Sequence, residues 1–143
     1  MSIDSISPKK AGIALWIVQV LLAALFLFAG VFKLTAPAAA MAGPPPLPVA
    51  FLRFIGACET LGALGLILPS LLRIRPALTP LAASGLVVIM AGATVVTLQG
   101  GTIAPALMPF VVGVLAACVA YGRTRVAPIR PRAARRAALQ PAS

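Results

Sequence analysis

Four apolar stretches, each long enough to cross a bilayer, constrain this chain more than any other feature: Ala11–Leu34, Val49–Leu72, Ala77–Leu98 and Ile103–Gly122. A helix rising 1.5 Å per residue needs about 20 residues to span roughly 30 Å of hydrocarbon, and each stretch meets that length. Backbone inside lipid must satisfy its own N–H and C=O groups, so these stretches read as helices. Composition removes the alternatives. Of the 143 residues, 61% are hydrophobic and 10% charged, whereas an ordinary soluble domain carries roughly 25% charged residues. Too little polar surface remains to face water. Disorder is excluded from the other side, because disordered chains pair charge with low hydrophobicity, and the mean hydropathy here is +1.06.

Pro, Gly and Arg punctuate the joins: Pro37 with Gly43-Pro44-Pro45-Pro46-Leu47-Pro48, then Arg73-Ile74-Arg75-Pro76, then Gly100-Gly101. The expected fold is an all-α integral membrane protein, an up-down four-helix transmembrane bundle over residues 11–122, with an N-terminal arm (1–10) and a basic tail (123–143). Lys and Arg number 12 against 2 acidic residues, a formal charge of +10. Lys9, Lys10, Arg73, Arg75 and the tail arginines 123, 125, 130, 132, 135 and 136 fall on one side of this topology; Lys33 and Arg53 fall on the other. Short loops rich in positive charge stay cytoplasmic, which predicts both termini on the cytoplasmic side of a cell (inner) membrane. Trp16 and Tyr121 fall at that same interface, as aromatic belts do. The string Ala38-Ala39-Ala40-Met41-Ala42 after the first span invites a signal-peptide reading, but the apolar core is longer than the roughly 7–15 residues of such a segment, so the span is expected to be retained. Thr35 is expected to cap a short helix from near Pro37 to Gly43, lying across the outer mouth.

The chain has no His, which removes imidazole haem ligation, His-based zinc sites and His proton shuttling; no metal site is expected. Cys58 and Cys118 form no CxxC pair and belong near opposite ends of the bundle, too far apart for a disulfide, so they read as small buried hydrophobes. Glu59 is the one acid in the membrane region; the other, Asp4, lies in the N-terminal arm. A charged residue in hydrocarbon costs about 2.5–3.5 kcal/mol on insertion scales, so it turns inward and takes a partner or stays protonated. Gly56, Gly62 and Ala63 sit at helical spacing from Glu59 and form a small-residue strip where another helix can approach. Arg53 lies about 240° around the helix from Glu59 and roughly 9 Å along it, so Lys33 at the outer end of the first span is the better partner. Two roles stay open for Glu59, proton acceptor or helix lock, and for Lys33, pairing or snorkelling into headgroups.

On the third span Gly85, Gly92 and Gln99 recur at heptad spacing and share one face, read as a close-packing strip ending in an amide, for packing within the chain or for dimerisation equally. Thr94 and Thr97 read more readily as bonded back to their own helix than across to another. With Glu59 and Lys33 these groups would make an outer polar cluster, Gln99 and Lys33 serving as binding groups. The tail, broken by Pro128, Pro131 and Pro141 and free of interleaved aromatics, does not suit nucleic acid. It suits anionic lipid, at about 1 kcal/mol per basic residue near the surface.

The segment Phe28-Ala29-Gly30-Val31-Phe32-Lys33-Leu34 and the string Glu59-Thr60-Leu61-Gly62-Ala63-Leu64-Gly65-Leu66 with Pro69 resemble the DoxX-like family of small four-span membrane proteins, over approximately Ala11 to Gly122. The resemblance implies a helical bundle in the cytoplasmic membrane. It also implies an association with thiosulfate:quinone oxidoreductase or with redox-stress enzymes as membrane partners; most members have no established activity. The lengthened basic tail departs from the pattern. Two readings follow. In one, the protein is a quinone-linked redox subunit in which Glu59 takes a proton and Lys33 or Gln99 holds the ring oxygens, quinone supplying the electron chemistry. In the other, it is a non-enzymatic scaffold or chaperone that docks a protein such as a redox enzyme subunit, and the pair only fixes the bundle. A proton-coupled small-molecule exporter ranks behind both, since no aromatic cage surrounds Glu59.

Overall fold

The computed structural model describes residues 7–138, so Asp4 and Pro141 lie outside the described residues. The chain runs α1 (Pro8–Thr35), a 3-10 turn (Ala38–Met41), α2 (Val49–Leu72), α3 (Leu78–Gln99), α4 (Ile103–Tyr121), a π-turn (Gly122–Val126) and a short α5 (Arg132–Ala137). Among the described residues, four helical segments are long and apolar enough to cross a membrane, which makes this a multi-pass membrane protein. α1 begins nearly a turn before its apolar stretch. The Ser7 hydroxyl accepts from the Lys10 N–H at 3.5 Å and Pro8 opens the helix, the usual chemistry of a helix start. Hydropathy marks the hydrocarbon thickness, and the cap marks the helix.

α1 packs chiefly on α2 and α3 on α4, with α2 against α3 joining the two pairs and α1 meeting α4 only sparsely. Leu22, Phe26, Leu66, Leu86 and Val119 fill the centre, with Ala63, Ala83 and Ala116 letting the backbones come close. In lipid that closeness matters more than apolar burial, because acyl chains are as apolar as leucine. Leu21, Phe28, Leu61 and Val88 face outward on the lipid side and are as apolar as the core.

That equivalence overturns two expectations. Gly85 and Gly92 lie on an exposed face of α3, and a Cβ built on either meets nothing within 4 Å; they pack against no other helix of the same chain. Cys118 is exposed and Cys58 half-buried, so neither is a core hydrophobe, and both thiols are free.

The loops are built from their own chemistry. Gly101 takes a φ of +87° between α3 and α4, a left-handed conformation that suits glycine. A Cβ on its neighbour Gly100 would stand 2.9 Å from the Pro44 carbonyl oxygen, so the Pro-rich loop lies against that turn. Thr35 does not cap the 3-10 turn. Its hydroxyl donates to the Val31 carbonyl at 2.8 Å, and the turn starts from Pro37 with no side-chain cap. A threonine on a helix has the second lone pair of the i−4 carbonyl within reach of its hydroxyl, and that acceptor wins.

Candidate functional site

At the end of the bundle where α1 finishes, α1 and α2 cross on two glycines. A Cβ on Gly56 would stand 2.7 Å from Lys33 Cβ and 2.9 Å from the Gly30 carbonyl oxygen, and one on Gly30 would stand 2.7 Å from the Gly56 carbonyl oxygen. Such contacts exist only because both residues lack side chains. The crossing brings Lys33 Nζ to 2.8 Å from Glu59 Oε2, with the Glu59 side chain 3% exposed and that of Lys33 26% exposed. One end of the pair is dry and the other reaches the surface.

Arg53 stands apart from Glu59 and caps the neighbouring helix. Its Nη1 donates to the Leu34 carbonyl and its Nη2 to the Ala36 carbonyl at 3.4 Å. Those carbonyls close α1, where acceptors lack intrahelical partners and positive charge is favourable. Gly62 faces the other neighbour: a Cβ there would come 2.6 Å from Leu86 Cδ2 on α3. The small residues around Glu59 therefore serve two interfaces, Gly56 toward α1 and Gly62 toward α3. Thr60, Thr94 and Thr97 donate to carbonyls four residues back at 2.8, 2.7 and 2.7 Å. Gln99 is exposed, on the outward face that carries Gly85 and Gly92. The expected outer cluster thus reduces to Lys33 and Glu59.

A second polar site, at the opposite end, was not anticipated. Gln19 of α1 is fully buried. Its Nε2 donates to the Leu66 carbonyl and to Ser70 Oγ at 3.2 Å, and Ser70 Oγ lies 2.7 Å from Thr79 Oγ1 on α3. Arg123, read from sequence as part of the basic, lipid-contacting tail, folds into the bundle and is 6% exposed. Its Nε donates to Gln19 Oε1 at 2.8 Å and its Nη1 to the Ala127 carbonyl at 3.5 Å. The guanidinium carbon sits 5.2 Å from the Trp16 ring centroid, a cation–π distance. Trp16 is therefore more than an interface marker.

The π-turn makes this possible. Ala127 N–H donates to the Gly122 carbonyl at 2.8 Å, five residues back, and a Cβ on Gly122 would stand 2.8 Å from Leu15 Cδ1. A wide turn on a bare glycine lets the end of α4 close on α1. Four segments meet in this network through Gln19, Ser70, Thr79 and Arg123. Among the described residues, Arg123 Nη2 is the buried side-chain polar atom left without a hydrogen-bond partner. Gln19 is the signal that sequence reading passed over: an amide alone in a long apolar run is expensive in hydrocarbon and implies a partner. The partner's position, just beyond the apolar stretch of α4, concealed it.

No group of three or more His, Cys, Asp or Glu residues able to hold a metal ion occurs among the described residues. No curated protein and no solved structure matches the chain. Residues 17–119 match the model of the DoxX-like family.

Proposed function

The chain belongs to the DoxX-like family, and from that premise we propose that it is a non-catalytic membrane subunit, a scaffold that holds a partner redox enzyme at the bilayer. The observation that carries this reading is the engagement of Glu59. The one carboxylate among the described side chains is 3% exposed and held by Lys33 at 2.8 Å, where it ties α1 to α2. Both oppositely charged groups are engaged by each other, and separating a buried pair is strongly destabilising, which supports a role in holding the two helices together. The basic end of the bundle faces the cytoplasm of an inner membrane; the support is the placement of ten of the 12 Lys and Arg residues at that end.

A second reading rests on the exposed end of the pair. Lys33 keeps 26% of its side chain accessible, so its ammonium has a face left to meet a quinone ring oxygen arriving from the lipid, with Glu59 behind it as proton acceptor. Purification in mild detergent separates the two readings. The scaffold predicts a stoichiometric soluble oxidoreductase whose quinone turnover is unchanged when the membrane subunit carries Glu59→Gln. Loss of quinone turnover in an intact Glu59→Gln complex, with quinone bound to the wild-type subunit alone, establishes the redox reading instead.

A further inference from the structure

The tail does not hang free of the bundle. After the π-turn it returns to the end of α2, where the Arg132 N–H donates to the Arg73 carbonyl at 3.4 Å. Between the two lies a cavity of about 520 Å³ lined by Arg73, Pro128, Ile129, Arg130, Ala134 and Ala138. Two arginines and an apolar wall line this space, and its volume lies within the range of ligand pockets, about 300–1,000 Å³.

Three further observations concern charge. Arg73 closes α2 in the left-handed conformation, with φ 54°. Glycine is the usual residue there, and an L side chain carries a steric cost. Arg123, nine-tenths buried, bonds the carbonyl of Ala127, the residue before the cavity wall begins at Pro128, and so positions that wall. Its Nη2 is unpaired, and among the described residues the only carboxylate side chain, that of Glu59, is bonded to Lys33 at the far end of the bundle. The positive field at the cavity is therefore uncompensated by any described side chain.

We infer that this cavity is a binding site for a phosphate anion with an apolar substituent, Arg73 and Arg130 holding the phosphate oxygens and Pro128, Ile129, Ala134 and Ala138 lying against the apolar part. Guanidinium forks match phosphate oxygens, and basic pockets at the ends of membrane helices take acidic headgroups. Arg123 is a positioning residue, acting through Ala127.

The test uses the full chain in nanodiscs of phosphatidylcholine carrying a small fraction of phosphatidylglycerol. Lipid retained by the protein is read by native mass spectrometry. Arg73→Asn, which tolerates the left-handed backbone, and Arg130→Gln each weaken phosphatidylglycerol retention by about tenfold or more, whereas Arg125→Gln, the same loss of charge outside the cavity lining, changes it by less than about twofold. Equal losses in all three variants overturn the site and leave a diffuse basic surface. Unchanged helix content by circular dichroism shows that the variants fold. Glycerol phosphate added to lipid-free protein distinguishes the source of the anion. Binding that depends on Arg73 and Arg130 assigns the cavity to soluble phosphate compounds as well; Arg-dependent binding of the lipid alone assigns it to headgroups. Binding of neither, above the level of Arg73→Asn, refutes the proposal.

Discussion

A methyl group on Gly56 would stand 2.7 Å from the Cβ of Lys33, so the approach that packs α1 on α2 is the same approach that carries the Lys33 ammonium to Glu59. Geometry and charge are coupled there: a backbone kept at ordinary helix spacing would pull the pair apart.

The two ends of the pair differ in exposure, and their substitutions should differ in cost. Lys33→Met leaves a nearly dry carboxylate without its cation and should destabilise by about 3–5 kcal/mol, as breaking a buried pair does. Glu59→Gln leaves an ammonium that can reach the headgroups and should cost only about 1 kcal/mol. Thermal unfolding in detergent checks the order. The swap of Lys33→Glu with Glu59→Lys should recover stability lost by either change alone; additive losses would reject the coupling.

Glycine substitutions separate packing faces from lipid faces. Gly30→Ala and Gly56→Ala force the crossing apart and should each cost about 1–3 kcal/mol. Gly92→Ala, on a face with no neighbour, should be neutral or stabilising by up to about 1 kcal/mol. A Gly92→Ala loss as large as that of Gly56→Ala in the same unfolding assay would contradict the helix rotation described for α3.

Gln19 accepts from Arg123 and donates to α2, so removing it strands a buried guanidinium. Gln19→Leu should cost about 1.5–3 kcal/mol. The double variant with Arg123→Leu should be less damaged than the sum of the single changes, with a coupling of about 0.5–3 kcal/mol. Strict additivity would show that the network carries no energy of its own.

Orientation is testable with two exposed loop positions. In a Cys58→Ala, Cys118→Ala background, a membrane-impermeant maleimide should label Pro46→Cys on intact cells and Ile74→Cys only after permeabilisation. The reverse pattern would invert the proposed sidedness.

What the sequence disclosed and what it hid have a common physical cause. Length and hydropathy locate all four helices, because the bilayer imposes a minimum run of apolar residues. The isolation of Glu59 points to Lys33 for the same reason, since an intramembrane acid has few partners to choose from. Which way a helix turns is another matter. Lipid-facing and core-facing residues are equally apolar, so Gly85, Gly92 and Cys118 look like core residues and are not. Arg123 fails in the opposite sense: a run of arginines after the last span reads as one basic tail against lipid, and only the π-turn reveals that its first member belongs to the bundle.

The two polar sites also differ in when they can exist. Lys33 and Glu59 are separated by 26 positions and Gln19 and Arg123 by 104. The α1–α2 hairpin has both halves of its lock as soon as its second helix leaves the ribosome. Arg123, by contrast, emerges only after all four spans have been made. Until then Gln19 lacks its cation, so this network can close only once the whole bundle has been made. A truncation that removes the segment after Tyr121 would leave α1 to α4 in place and still deprive Gln19 of its cation.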